Sequence, residues 1–176
     1  YIAYENELYK TALNEFSKLL DDKKFKHIVP YYITHIYFAQ KRYGELIDFT
    51  KPILDNIKGS RIEEMHRLLA ESYYALDDYK NAVRYFNNYL SVIEEPSSII
   101  CFLLGHSYFR IENYDKAILF LERVVNSPDS VMQNSTYYLA SSYLKNENYY
   151  YALQAFKKAS TYNYDLIIKE EAYFNY

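Results

Sequence analysis

The chain of 176 residues carries 20 basic and 23 acidic side chains, a formal net charge of −3, and 50% apolar residues. That length and apolar content support a sizeable buried core, while the balanced, interspersed charge gives no basic stripe for nucleic acid. The longest apolar run, Ile99 to Leu104, falls far short of the ~20 residues that span a bilayer. With 3 glycines and 4 prolines, the chain points to long helices with few turns built on positive φ, and away from an all-β fold. The single cysteine, Cys101, has no internal disulfide partner.

In chain order, residues 1–24 read as the second helix of a truncated repeat, preceded by the last residues of its first helix. Paired helices are expected at 28–41 and 43–57, 61–76 and 79–93, 97–111 and 114–127, and 130–146 and 149–162. The first helix of a further pair begins within 166–176. Apolar residues recur at spacings of three and four in LLAESYYAL, LLGHSYFRI and YKNAVRYFNNYL, one face of a helix each time. Asp78, Asn113 and Asn148 stand where an N-cap is needed. Gly59-Ser60, Pro96-Ser97-Ser98 and Ser127-Pro128-Asp129 separate the pairs, and Pro52 is expected to bend or fray the helix that holds it. The four full repeats are therefore 28–57, 61–93, 97–127 and 130–162, in a single array over 1–176.

The repeat is visible in register. Tyr9, Tyr43, Tyr79, Tyr114 and Tyr149 are separated by 34, 36, 35 and 35 residues. Six residues upstream of the last four stand Tyr37, Tyr73, Tyr108 and Tyr143, and three before those stand Thr34, Ala70, Gly105 and Ala140, small every time. Ala12, Leu46, Ala82, Ala117 and Ala152 follow the marker tyrosines by three, and Phe16, Phe86, Leu121 and Phe156 follow by seven, with Thr50 as the exception. Small residues let paired helices approach closely, Ala70 against Ala82 and Gly105 against Ala117, while the rings are expected to fill the gaps toward the next pair. One pair cannot bury its own apolar face, whereas a stack of pairs makes a continuous core.

The period and the runs Leu69-Ala70-Glu71-Ser72-Tyr73, Leu104-Gly105-His106-Ser107-Tyr108 and Leu139-Ala140-Ser141-Ser142-Tyr143 resemble the tetratricopeptide repeat family. His66, Cys101 and Thr136 occupy the place where that family often has tryptophan. The resemblance implies an all-α, right-handed α-solenoid of stacked antiparallel helix pairs, whose first helices line a concave groove that binds a partner protein or peptide. By register, the groove residues are Tyr31, Tyr32, His35 and Phe38, then Glu64, Arg67, Glu71 and Tyr74. They continue as Ile99, Phe102, His106, Phe109 and Arg110, then Asn134, Tyr137, Tyr138, Ser141 and Lys145. Aromatics are enriched where proteins bind proteins. The lysine, asparagine and arginine set of a carboxylate clamp is absent from these places, so apolar and ring contacts are expected to hold the partner. The tyrosine-, asparagine- and lysine-rich wording is also similar to large tetratricopeptide proteins of bacterial cell envelopes, which implies a periplasmic or envelope setting.

No phosphate-cradling loop, HExxH or GxSxG is present. His35 and His106 share a register place two repeats apart, too far for one ion, and His66 and Cys101 give two ligands without a third. The expectation is a chain that is no enzyme and needs no metal or cofactor. Neither end shows a polar capping element, so the chain is expected to be a segment of a longer array. Two other readings stand beside the binding scaffold: a self-assembly module, with homo-oligomers built through exposed rings and uncapped ends, and a docking domain of a longer multidomain protein.

Overall fold

A computed structural model describes residues 1–54, 61–124 and 130–176. Among them are eleven α-helices and no strand. They group into two compact units, Tyr1–Val92 and Ile93–Tyr176. The first unit holds α1 (Ile2–Glu5), α2 (Tyr9–Ser17), α3 (Val29–Ala39), α4 (Tyr43–Leu54), α5 (Ile62–Ala75) and α6 (Tyr79–Leu90). The second holds α7 (Ser98–Arg110), α8 (Tyr114–Leu121), α9 (Ser130–Lys145), α10 (Tyr149–Ser160) and α11 (Leu166–Phe174). Within each unit a first helix packs on its second helix and on the next first helix: α3 on α4 and α5, α7 on α8 and α9, α9 on α10 and α11. The breakers Gly59-Ser60 and Ser127-Pro128-Asp129 and the ends of the expected helices 43–57 and 114–127 lie outside the described residues. α4 runs through Pro52 to Leu54.

The turns inside each pair differ from the glycine-based expectation. Glu7, Lys41, Asp77, Glu112 and Glu147 all adopt positive φ, between 56° and 61°, and none is glycine. Each stands two residues before a marker tyrosine. The following amide reaches back five residues: Asp78 to the Tyr73 carbonyl at 2.9 Å, Asn113 to Tyr108 at 2.9 Å, and Asn148 to Tyr143 at 2.8 Å. Leu8 and Arg42 make the same bond to Ala3 and Tyr37, at 2.8 and 2.9 Å. The positive-φ residue itself donates to the carbonyl three before it, as Asp77 does to Tyr74 at 3.0 Å. This is the Schellman arrangement, which satisfies the last carbonyls of the first helix while reversing the chain. A left-handed conformation in an L-residue costs about 1–2 kcal/mol, so glycine scarcity misleads here: the two bonds offset the strain five times over. The next residue starts the second helix. Asp78 and Asn113 accept from the amides of Asn81 (3.1 Å) and Lys116 (3.3 Å) as N-caps, whereas Asn148 makes no side-chain cap bond.

Packing inside the pairs also differs in detail. The upstream tyrosines stack within their own pair rather than toward the next. Tyr73 lies parallel to Tyr85 (5.4 Å, 7°), Tyr108 to Phe120 (5.7 Å, 10°), and Tyr37 meets Phe49 at 5.9 Å. The partner ring stands twelve residues on, and in the last pair that place is Ala155, so Tyr143 stacks on Tyr151 instead (5.4 Å, 28°). Gly105 lies close against Leu121: a Cβ there would come within 2.7 Å of Leu121 Cγ and 3.2 Å of its backbone nitrogen. The exception at Thr50 has a polar explanation. Thr34 and Thr50 are fully buried, with hydroxyls 2.8 Å apart, and Thr34 donates to the Pro30 carbonyl. A hydroxyl pair thus replaces the phenylalanine or leucine found in the other copies.

Buried Gln133 fastens the last connection. Its amide donates to the Asp165 carbonyl at 2.7 Å and accepts from the amides of Tyr164 (3.0 Å) and Asp165 (2.7 Å). Asp165 then caps α11 through the Ile167 and Ile168 amides.

Gly105→Leu is expected to destabilise the chain by about 1–3 kcal/mol through overpacking against Leu121. Leu121→Ala in the same molecule should cost less than the sum of the two single changes. Chemical denaturation of the four species measures the coupling, and strict additivity would contradict the contact.

Candidate functional site

The first-helix residues picked out by register fall into two clusters, one in each unit. In the first unit, α3 presents Tyr31, Tyr32, His35 and Phe38, all half-buried. α1 lies against them. Tyr32 stacks on Phe16 (5.3 Å, 17°) and takes the edges of Tyr4 (5.1 Å) and Tyr1 (5.6 Å). The Tyr4 hydroxyl and His35 Nδ1 are 3.0 Å apart. The Arg61 guanidinium sits 4.4 Å above the Tyr31 ring, a cation–π contact. Tyr1, Tyr4 and Arg61 were not picked out from sequence. Tyr4 had a signal: it stands five before Tyr9, as Phe38, Tyr74 and Phe109 stand five before their own markers.

On α5 the charges are paired rather than free. Arg67 donates through Nε to Glu64 at 3.0 Å and through another nitrogen to Glu71. The Arg67 hydrogen bond holds Glu64 below the usual carboxylate range, whereas Glu71 is raised by burial, which outweighs the same guanidinium. Arg67 itself is raised, chiefly by Glu64. Phe38 and Tyr74 meet Tyr43 (5.9 Å) and Tyr79 (5.6 Å) at the start of the next helix.

In the second unit, α7 and α9 bring five of the expected residues together. His106 is only 6% exposed, parallel to Phe102 (5.9 Å, 11°) and 4.3 Å from the Tyr138 ring. It is therefore part of the floor rather than a contact group. Tyr138 also meets Phe109 (5.3 Å), Phe102 (6.4 Å) and Tyr137 (5.4 Å). Tyr137 packs on Phe156 and is pushed up to about 12 by burial and by its hydrogen bond to Glu171. Ser141 turns back to the Tyr137 carbonyl at 3.0 Å. Arg110, Ile99 and Lys145 are exposed and Asn134 is half-buried. Among the described residues no group of three or more His, Cys, Asp or Glu is placed to hold a metal, and no helix is long and apolar enough to cross a membrane.

Comparison with known proteins agrees with this architecture. Two tetratricopeptide-repeat family models match, over residues 68–92 and 99–128. No curated protein sequence matches the chain. Among solved structures, MamA from MSR-1 superposes with a TM-score of 0.70 at 16% identity, over 90% of this chain and 89% of that one. The tetratricopeptide-like repeats of a putative kinesin light chain from Podosopora anserina give 0.60 at 14% identity, over 90% and 89%. A tetratricopeptide repeat protein from Parabacteroides merdae gives 0.50 at 22% identity, over 98% of this chain and 66% of that one. The chain carries tetratricopeptide repeats, and its fold is that of a tetratricopeptide-repeat solenoid. That fold generally serves as a protein-interaction scaffold, one that is typically non-catalytic.

Burial lowers His35 below its ordinary 6.5, with Glu64 partly opposing, and lowers His66 likewise. The unfolded chain therefore takes up these protons first as pH falls. The stabilisation is complete above about pH 6.5 and is lost as pH falls through the lowered folded values. Melting at pH 7.5 and 5.5 is expected to show a lower midpoint at the acidic pH, and a smaller drop in His35→Gln. Equal drops would contradict the role of His35.

Proposed function

We propose that the aromatic first-helix faces bind a partner protein or peptide through ring and apolar contacts. The observation that carries this is the cluster of Phe102, Phe109, Tyr137 and Tyr138, half-buried rings packed on one another around His106, with the exposed cations Arg110 and Lys145 on the same helices. Rings already fixed by their neighbours lose little entropy on binding, and their remaining surface is available to a partner. In the first unit Tyr31, Tyr32, His35, Phe38 and Tyr74 offer a second ring surface, and the pairing of Arg67 with Glu64 and Glu71 suits it to a largely apolar segment rather than to a charged tail. The single array over 1–176, with repeats at 28–57, 61–93, 97–127 and 130–162, belongs to this reading, as does the absence of catalysis.

A second reading, self-association, is favoured by α11. Phe174 is 92% exposed. Leu166, Ile167 and Tyr173 are exposed beside it. Ala172 on the same helix is buried against α9 and α10.

Affinity capture with the chain as bait separates these readings. Phe102→Asp/Phe109→Asp is expected to lose the retained partner, and so is Arg110→Glu/Lys145→Glu, which alters only exposed side chains. Retention by both variants would contradict the ring-surface proposal. A change in oligomer size with Phe174→Asp, with no partner retained by any bait, would favour self-association.

A further inference from the structure

The first turn of α10 breaks a rule that the other second helices keep. The two residues after the marker tyrosine are Lys10 and Thr11, Gly44 and Glu45, Lys80 and Asn81, or Asp115 and Lys116, whereas Tyr149 is followed by Tyr150 and Tyr151. Lys10, Thr11, Glu45, Lys80, Asp115 and Lys116 are all exposed, so packing asks for no ring at these places. Tyr150 and Tyr151 are exposed too, at 68% and 53%. Their rings meet edge to face at 5.4 Å, and Tyr151 stacks on Tyr143 at 5.4 Å. Three rings thus form one strip on the outside of the second unit.

The rim of the strip is acidic. The Tyr143 hydroxyl donates to the exposed Glu122 carboxylate, and the Asp115 carboxylate accepts from Asn146 at 2.6 Å. Each carboxylate keeps further lone pairs for a second donor. Glu147, exposed in the same turn as Asn146, offsets the positive end of α10. The other full repeats lay a cation of the chain on the equivalent rings. Arg42 lies 4.7 Å over Tyr37 and donates to Glu45 at 2.5 Å, Arg84 lies 5.6 Å over Tyr85, the ring stacked on Tyr73, and Lys116 lies 5.3 Å over Tyr108. In the last repeat those three places hold Asn148, Gln154 and Tyr151. Among the described residues no cation lies over Tyr143, Tyr150 or Tyr151.

Exposed ring faces bordered by carboxylates suit a flat cation. A guanidinium stacks on a ring and forks onto a carboxylate at once, as Arg42 does with Tyr37 and Glu45, whereas an ammonium is a strongly hydrated point charge. We propose that the strip of Tyr143, Tyr150 and Tyr151 docks an arginine side chain of a partner polypeptide, its guanidinium laid on the rings and paired with Glu122 or Asp115. None of these side chains belongs to the ring surface of the proposed function, so the inference does not depend on that reading.

The test titrates the blocked pentapeptide Gly-Gly-Arg-Gly-Gly into isotope-labelled chain at low salt. The ring resonances of Tyr143, Tyr150 and Tyr151 are expected to shift saturably. The same peptide with citrulline, the neutral isostere of arginine, should leave them unmoved, and the lysine peptide should bind more weakly. Tyr150→Lys/Tyr151→Asn, which restores the residues of α6, should keep the fold and abolish the shift read at Tyr143. Glu122→Gln, which still accepts from Tyr143, should weaken binding about two- to fivefold. The inference is overturned if the rings do not move, if citrulline or lysine moves them equally, or if the folded double variant still responds. A response to cellobiose without one to the arginine peptide would also overturn it, because the strip would then take a neutral sugar rather than a cation.

Discussion

The rest of the structure depends on the left-handed turn at Glu7, Lys41, Asp77, Glu112 and Glu147. Each turn closes its first helix with two backbone bonds and releases the chain into the second helix after a fixed number of residues. That fixed count sets which residues of the two helices face each other. The small residue at 70, 105 or 140 and the tyrosine three later then meet the second helix at the same height in every copy. A turn one residue longer would rotate the following helix by about 100° and carry its buried face away from its partner.

From that registration follow the packing and the exposed surfaces. Stacked ring pairs such as Tyr73–Tyr85 and Tyr108–Phe120 hold each helix pair together on one side of the first helix. The opposite side carries a different set of rings, fixed by their neighbours but not covered. Among these, His106 and Tyr138 show how a binding surface and a core grade into each other: the imidazole is buried while the rings on it keep accessible area. Charges follow the same economy, with Arg67 satisfied by two carboxylates of its own helix.

Helix pairing and register were legible in the sequence because the repeat multiplies a weak signal. The marker tyrosines and the small residues say the same thing four times. What escaped were features that depend on conformation or on contacts distant along the chain. The positive-φ turns were hidden because their residues are glutamate, lysine and aspartate, whose strain is offset by bonds that only the folded turn makes. Gln133 was hidden because its partners are backbone groups 31 and 32 residues away. Thr50 looked like a defect until its partner, Thr34, was in place. Tyr32 and His35 were read as surface because the packing of α1 onto α3 leaves no mark in a pattern of spacings.

The most direct test of this account is the backbone conformation of the five turn residues in solution. Backbone chemical shifts and three-bond HN–Hα couplings are expected to place Glu7, Lys41, Asp77, Glu112 and Glu147 in the left-handed region, with their neighbours helical. Extended or right-handed values at these positions would contradict the turn on which the register of every helix pair rests.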